Sequence, residues 1–489
     1  MKKIKLTIAF LTLISISSCS DFLSEIPDNR TQINSPEKIA ELLVNAYPNS
    51  SYVSFAESMT DNVFETNNNI SLKNSQSYNW EMNDETNIDS PSLYWDECYI
   101  AIAHANQALS EIKKLGNPIN LNPLRGEALM ARAYAHYMLV TFWSKAYNPA
   151  TATSDLGIPY VTEPEEVLLK TYKRNTVAEV FAFLEKDIKE GLELVTDKYK
   201  QPKFHFNIAA SKAFASRFYL IKGDWDRVLE LSSDFGIKPT NIRDYKAYTV
   251  LSTSNTAYAK RYSDSEENTN LLISSVYSLS ARNYRYDRFV FSNDRKNEII
   301  SSGTNLFNKD WIYSFYGTGE MTFIPKFFEF FKIKNPIANT GEPYDALVLL
   351  SNDEFFLNRI EAHIMTNQLE LAKGELDYFL STRTVSYDPA TDKLTEENIV
   401  AKYPEVKDEY TPFYKLTTLQ ASYIKAVAEI RRVDFIHEGM RWFDIKRFNL
   451  KIRHDFKDKT FIVLQKDDKR KAIQIPLHVT NTGIEKNPC

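Results

Sequence analysis

Amphipathic segments that pair across short turns are the feature that most restricts what this chain can fold into. Residues 123–143 carry apolar side chains at i, i+4, i+8 and i+11, and these form a single stripe: Leu129, Ala133, Tyr137 and Val140. That spacing is typical of a helix with one buried face. Alanines on the same segment allow a neighbouring helix to approach closely. The sequence therefore predicts a mainly α-helical fold.

Helix boundaries are marked by Gly, Pro and capping residues. A first helix should begin near Ser35, with Pro36 in its first turn, and end before Pro48. Longer helices are predicted over 93–115, 123–143 and 177–194. A stripe over 210–221, a turn at 223–225 and a partner segment form a helix–turn–helix pattern, which returns at 356–379. These pairs resemble tetratricopeptide hairpins, without a clean period.

Three stretches lack helical periodicity: 49–90, 240–345 and 385–425. They are rich in polar residues and tyrosine, and residues 283–291 alternate as a strand would. We predict an irregular, loop-rich lobe with a few short strands, laid on the helical scaffold. Loops on a rigid scaffold are where binding commonly occurs.

The N-terminus is typical of a targeting segment rather than of the fold. Three lysines within the first five residues precede an apolar run over 6–16, and two serines lead into Cys19. This predicts a signal peptide over 1–18, and its ISSC ending resembles a bacterial lipobox, in which Cys19 is lipidated and becomes the first residue. An ordinary cleaved signal with an incidental cysteine is the alternative. A lipidated chain would be held to a bilayer by its acyl groups.

Composition and motifs exclude several function classes. The net charge of −5 and the lack of a Lys/Arg cluster argue against nucleic-acid binding. The sequence contains no phosphate-binding loop, no nucleophile elbow and no HExxH frame, so we predict no cofactor and no metal site. Aromatic residues make up 13% of the chain, which suits either a core or a carbohydrate or peptide platform. Cys98 and Cys489 could pair, but no disulfide framework is implied.

Candidate ligand-contacting residues are aromatic and polar side chains in loop-like sequence. Five rings are candidates for stacking against a ligand: Tyr78, Trp80, Trp311, Tyr313 and Tyr316. Asp61 and Arg285 are candidates for polar contacts. Core packing is the alternative explanation for each ring.

Residues 431–448, RRVDFIHEGMRWFDIKRF, mix charges and aromatics most densely. On one helix, Asp434, Glu438, Arg441 and Asp444 would face each other in turn at i+3 or i+4 spacing. Gly439 in the middle suggests a break or a close backbone approach. A catalytic carboxylate pair is one reading, and we favour the other, a partly buried ion-pair network.

Several segments, in this order, resemble the SusD/RagB family of Bacteroidetes outer-membrane lipoproteins. They include CSDFLSEIPDNRT, LYWDECYIAIAHANQALSEI, RGEALMARAYAHYMLVTFW and the 431–448 stretch, which is similar to the family's C-terminal signature. The resemblance implies a single body over 19–489. Its helical hairpins would cover about 36–48, 93–235 and 352–383, as about four tetratricopeptide-like units, with the C-terminal signature over 428–489.

The same resemblance implies a function. Members are nutrient-binding proteins on the outer membrane that capture oligosaccharides, glycans or sometimes peptides and pass them to a SusC-like TonB-dependent transporter. No enzymatic activity is expected. The family has no invariant ligand motif, so it transfers no binding residue. A glycoside hydrolase with an unrecognised carboxylate pair and a purely structural lipoprotein remain as alternatives.

Overall fold

The structure is a computed structural model that describes residues 33, 35–165, 172–236, 238–300 and 305–488. The predicted signal peptide over 1–18, the predicted lipidation site Cys19, and Cys489 lie outside the described residues. Cys98 is a free, buried thiol.

Helices dominate the described chain. In chain order they are α1 (Pro36–Leu43), α2 (Val53–Ser58), α3 (Leu72–Tyr78), α4 (Pro91–Lys114), α5 (Asn122–Trp143), α6 (Val177–Leu194), α7 (Ile208–Lys222), α8 (Trp225–Leu231), α9 (Lys246–Thr249), α10 (Asn255–Tyr262), α11 (Ser280–Asn283), α12 (Asn293–Ile299), α13 (Asn352–Met365), α14 (Leu369–Ser381), α15 (Glu396–Lys402), α16 (Thr418–Asp434), α17 (Met440–Arg447) and α18 (Leu477–Thr480). Short 3-10 turns cover Ile119–Leu121, Pro202–Phe204 and Lys469–Lys471. None of the described helices is both long and apolar enough to cross a bilayer.

The helix ends follow the local sequence signals. Ser35 accepts a hydrogen bond from the backbone N–H of Lys38 and so caps α1, whose first residue is Pro36. Thr176 and Glu179 form a capping box at the start of α6. Gly223, with a φ of +78°, ends α7 in the left-handed conformation that glycine adopts at least cost. The bounds predicted for α4, α5 and α6 agree with the structure within two residues.

The scaffold is built by packing these helices in pairs. Helix α5 lies against α4 on one side and α6 on the other, while α7–α8 and α13–α14 form hairpins. Ala128, Ala131 and Ala135 on α5 are buried, as their small size predicted. A Cβ on Gly126 of α5 would lie 2.9 Å from the Cβ of Leu194, so this helix pair packs at nearly backbone distance. The predicted mainly α-helical fold with an irregular lobe is confirmed.

Strands are confined to the lobe and the C-terminal region. They are β1 (Phe64–Glu65), β2 (Asn270–Tyr277), β3 (Phe289–Val290), β4 (Tyr316–Thr318), β5 (Met321–Phe323), β6 (Phe328–Asn335), β7 (Thr340–Ser351), β8 (Ile452–Asp455) and β9 (Phe461–Leu464). The largest sheet is antiparallel with the order β2-β7-β6. The strand predicted over 283–291 shrinks to two residues, because a helical turn occupies its start. The long β6–β7 hairpin was not predicted.

Most buried apolar side chains of the scaffold and of the lobe form one continuous cluster, and two small clusters in the lobe are separate from it. The continuous cluster extends from Ile39 on α1 through α5 to Leu347 on β7 and Ile475 near the C-terminus. The lobe is thus packed onto the helices by shared hydrophobic burial, the main favourable term in folding.

The 431–448 stretch does not form one helix. Helix α16 ends at Asp434 and α17 begins at Met440, with Gly439 at a φ of +69° between them. A Cβ at Gly439 would lie 2.8 Å from the Cβ of Ala56, so the backbone comes close to α2 there. Both a break and a close approach occur, and the helical spacing expected for the charges is therefore wrong.

Candidate ligand-binding surface

Three aromatic rings lie side by side on one face of the β2-β7-β6 sheet. We call Phe330, Tyr344 and Tyr277 the aromatic face. Phe330 pairs with Tyr344 across β6 and β7, and Tyr344 pairs with Tyr277 across β7 and β2. Directly paired residues share a sheet face, because side chains alternate along each strand. Ring centroids are 5.7 Å apart in the first pair and 6.1 Å in the second.

The rings of the aromatic face are half-buried, so each presents apolar surface to solvent. Charged groups border them. The ammonium of Lys332 lies 5.7 Å from the centroid of the Tyr344 ring, and the Tyr344 hydroxyl donates to Glu342 at 3.5 Å. Glu342 also pairs with Lys334 at 2.5 Å. Flat apolar rings beside hydrogen-bonding groups suit a ligand with apolar C–H faces and polar edges, such as a sugar.

A buried carboxyl lies under this surface. Asp345 follows Tyr344 on β7, points to the opposite side of the sheet and is fully buried. Its Oδ2 accepts the backbone N–H of Ala281 at 2.8 Å, while its Oδ1 has no hydrogen-bond partner among the described residues. Burial raises the pKa of Asp345 to about 8, and the nearby carboxylate of Asp89 adds to the rise. The sheet under the aromatic face therefore holds a carboxyl group that is protonated at neutral pH.

Two of the predicted stacking rings belong to the core. The ring of Tyr78 lies between Phe289 and His454, with centroids 4.0 and 4.1 Å away. The ring of Trp80 lies 4.1 Å from His454, and its indole N–H donates to the carbonyl of Met59 at 2.9 Å. Both residues are almost fully buried. Their burial corrects the expectation of open stacking faces, because protein groups already occupy those positions.

The remaining predicted rings, Trp311, Tyr313 and Tyr316, lie elsewhere in the structure. Trp311 and Tyr313 are buried and stack with centroids 6.0 Å apart, and the Tyr313 hydroxyl donates to Asp434 at 2.6 Å. These two rings are also core side chains rather than an open platform. Tyr316 is partly exposed, and its hydroxyl donates to the carbonyl of Leu251 at 2.9 Å. A ligand contact at Tyr316 stays a prediction.

The two predicted polar contacts have protein partners. Asp61 pairs with Arg441 at 2.9 Å and with Arg432 at 3.3 Å. Burial raises the pKa of Asp61, but these two cations outweigh burial and hold it well below its usual range. Arg285 lies with its guanidinium carbon 4.8 Å from the centroid of the Phe323 ring. The structure does not bring these two residues together with all five rings at one site.

The acids of the 431–448 stretch are each paired with cations, two of them with residues outside the stretch and one with residues inside it. Arg383 holds Asp434 at 3.1 Å, and Lys326 holds Glu438 at 2.6 Å. Asp444 pairs with Arg447 at 2.7 Å and with Arg431 at 3.1 Å. A buried ion-pair network is thus present, as we favoured, but its partners differ from those expected by helical spacing.

Metal-ligating residues do not cluster in the part of the chain that the structure describes: no three His, Cys, Asp or Glu side chains come together there.

Sequence reasoning missed the aromatic face. A partial signal was present, since two segments rich in aromatic and β-branched or aliphatic residues, FEFFKIK and EPYDALVL, flank NPIANTG, a turn-rich link. The surrounding polar composition concealed the hairpin. The register that aligns Tyr344 with both neighbours depends on strand pairing, which the sequence does not display.

The fold defines the class of protein: a tetratricopeptide-like helical scaffold that carries an irregular lobe. Residues 21–220 match the SusD-like family model described as "Starch-binding associating with outer membrane". No curated protein sequence matches the chain.

Solved structures share the whole fold. A SusD superfamily protein of Bacteroides thetaiotaomicron is 16% identical, with a TM-score of 0.67 over 93% of this chain and 100% of that one. A SusD superfamily protein of Bacteroides fragilis is 17% identical, with a TM-score of 0.65 over 92% and 98%. A SusD-like carbohydrate binding protein of Bacteroides vulgatus is 15% identical, with a TM-score of 0.59 over 92% and 96%. The chain shares the fold of these solved structures, and its residues 21–220 are similar to the SusD-like family model.

Proposed function

We propose that this protein is a lipid-anchored outer-membrane protein that binds an oligosaccharide or glycan without chemical change and delivers it to a SusC-like TonB-dependent transporter. The family description and the carbohydrate-binding name of one structural relative support the ligand class. The N-terminal sequence ending in Cys19 supports the anchor.

The aromatic face is the observation that carries the proposal. Its three rings are aligned on a rigid sheet and remain half-exposed, unlike the rings of Tyr78 and Trp80. A pyranose ring stacked there would contact Tyr344, while Lys332 and Glu342 would bond its hydroxyl groups. Aromatic stacking contributes about 0.5–1.5 kcal/mol per contact. Such contacts can therefore supply a useful part of the binding free energy of a micromolar complex.

A glycan and peptide array, probed with the chain from Ser20 onward, tests the proposal. A hit is then measured by calorimetry on Tyr344→Ala and Phe330→Ala. Each variant should bind about three- to tenfold more weakly, the loss expected for one stacking contact. Selective binding of peptides instead would favour the peptide-binding alternative.

Phe331→Ala is the matched control. Phe331 neighbours Phe330 on β6, is half-exposed, and points to the opposite face of the sheet. Its removal should leave glycan affinity unchanged. Equal losses in Phe331→Ala and Phe330→Ala, or no loss in either aromatic-face variant, would count against the aromatic face as the site.

The anchoring and delivery steps need cell experiments. Cys19→Ala should abolish acylation, detected with an alkyne-labelled fatty acid, and release the protein from the outer membrane. A TonB-dependent transporter encoded next to this chain should co-purify with the wild-type protein. Labelling that persists in Cys19→Ala would overturn the proposed anchor.

The hydrolase alternative predicts a different result with the same ligand. A binding protein leaves the glycan intact, so the number of reducing ends stays constant over a long incubation. A steady rise in reducing ends, absent from a heat-denatured sample, would favour the hydrolase.

A further inference from the structure

A cavity of about 370 Å³ lies where the end of α5 meets the C-terminal region. Residues 145–155, 411–413, 446–449 and 467–472 contribute its lining, and no residue of the aromatic face takes part. We call it the lysine cavity. Five basic side chains line it: Lys145, Lys446, Arg447, Lys469 and Lys471. Three acidic side chains also line it: Asp155, Asp467 and Asp468.

Some of these charges already have partners. Lys145 pairs with Asp155 at 2.6 Å. Arg447 pairs with Asp444 at 2.7 Å and with Glu361, both outside the cavity lining. Asp468 pairs with Arg470 at 2.7 Å, and the Asp467 carboxylate accepts a hydrogen bond from the side-chain amide of Asn449 at 2.9 Å.

Two buried lysines lack a carboxylate partner. Lys446 is 5% exposed, and its ammonium donates to the carbonyls of Thr141 and of Ser144, the latter at 2.6 Å, at the C-terminal end of α5. Lys471 is 6% exposed and donates to Oδ1 of Asn449 at 2.8 Å. Among the described residues, neither forms an ion pair. Since an ammonium has three N–H groups, one remains on Lys446 and two remain on Lys471.

The pKa values of these two lysines indicate that the surrounding protein does not supply enough negative charge to balance them. Burial, together with the charge of Lys471, lowers the pKa of Lys446 to about 7. Burial also lowers the pKa of Lys471 to about 8, against the opposing effect of Asp467 and Asp468. Buried charges are costly unless they are paired and hydrogen-bonded. An anion in the cavity would supply both the charge and the acceptors.

We propose that the lysine cavity binds an oxoanion, namely the carboxylate of a uronic acid in an acidic saccharide, through the ammonium groups of Lys446 and Lys471. Tyr147 and Phe413 line the same cavity and offer apolar contact to a sugar ring. The saccharide as the source of the anion rests on the proposed function, whereas the preference for an anion rests on the cavity alone.

Calorimetry on the full mature chain tests the site at about pH 6, where both ammonium groups are protonated. The probes are digalacturonate, a neutral disaccharide and inorganic sulfate. Lys471→Met should weaken digalacturonate binding about tenfold or more, the loss of a charged hydrogen bond, while Lys471→Arg should retain it. Lys451→Met is the control, because Lys451 is exposed and does not line the cavity.

Three outcomes decide the matter. Digalacturonate binding that Lys471→Met weakens and Lys451→Met leaves unchanged supports the whole proposal. Sulfate binding with the same dependence, but no saccharide binding, keeps the anion site and rejects the saccharide as its ligand. Binding that is absent, or equal in all variants, overturns the site. Neutral-glycan binding at the aromatic face is measured separately, so failure of the two proposals can be told apart.

Discussion

Replacing Asp345 by Asn should stabilise the protein at neutral pH. The carboxyl is fully buried, lies close to a second carboxylate at Asp89, and forms no ion pair among the described residues. An asparagine keeps an oxygen that can accept the N–H of Ala281. The substitution therefore preserves the shape of the site and removes the need to hold a proton there.

The size of the expected stability gain follows from the raised pKa of Asp345. Burial raises the pKa of Asp345 from 3.8 to about 8. At neutral pH the folded protein holds a proton on Asp345 that the unfolded chain releases. Neutral pH lies roughly three units above the unfolded pKa, so holding this proton costs about 4 kcal/mol of folding free energy. Because the pKa of Asp345 is raised in the folded state, its contribution to the free energy of unfolding is fully present below the unfolded pKa. That contribution is lost as pH rises toward 8. We expect a gain of about 2–4 kcal/mol for Asp345→Asn at neutral pH, since the amide forms imperfect hydrogen bonds.

Urea unfolding of both proteins at about pH 5, 7 and 8 measures this gain, and the gap should widen as pH rises. Asp61→Asn serves as a control of opposite sign, because Arg432 and Arg441 favour the charged form of Asp61. That variant should lose stability at neutral pH. An Asp345→Asn protein that is no more stable than wild type at pH 7, or a gap independent of pH, would refute the reasoning.

Three further predictions use thermal unfolding and calorimetry. Arg383→Met should cost about 3–5 kcal/mol, because Arg383 is fully buried between two aspartate carboxylates, of which Asp434 would lose its cation and Asp353 would keep only Arg243 at 3.7 Å; an unchanged melting temperature would contradict this. Gly439→Ala should cost about 1–3 kcal/mol, since the positive φ and the close approach to α2 both oppose a Cβ, and a neutral effect would show that the turn relaxes freely. Digalacturonate affinity should fall from about pH 6 to pH 9 as Lys446 and Lys471 lose their protons, and a flat pH profile would count against the lysine cavity.

Local signals predicted the scaffold well. Helix periodicity and caps such as Ser35 act within a few residues, so the start of α1 and both ends of α4, α5 and α6 could be predicted from the sequence. Alanines on α5 indicated close helix packing for the same reason. The β6–β7 hairpin escaped notice because its strand signal is partial and lies in polar sequence.

Local sequence signals did not distinguish exposed aromatic residues from buried ones. The polar neighbours of Tyr78 suggested an exposed loop, yet its ring packs against His454, which lies 376 residues further along the chain. Several charges of the 431–448 stretch likewise pair with residues on other elements. Asp434 pairs with Arg383, and Arg441 pairs with Asp61.

The sequence by itself determined the helical scaffold, the irregular character of the lobe and the predicted lipoprotein signal, because periodicity, capping and targeting are encoded in neighbouring residues. Only the tertiary structure decided which rings stay exposed, which acids are paired with cations, and that Lys446 and Lys471 have no carboxylate partner among the described residues. Burial and charge pairing depend on residues brought together from hundreds of positions apart. Strand register and side-chain packing, rather than local pattern, place those residues beside one another.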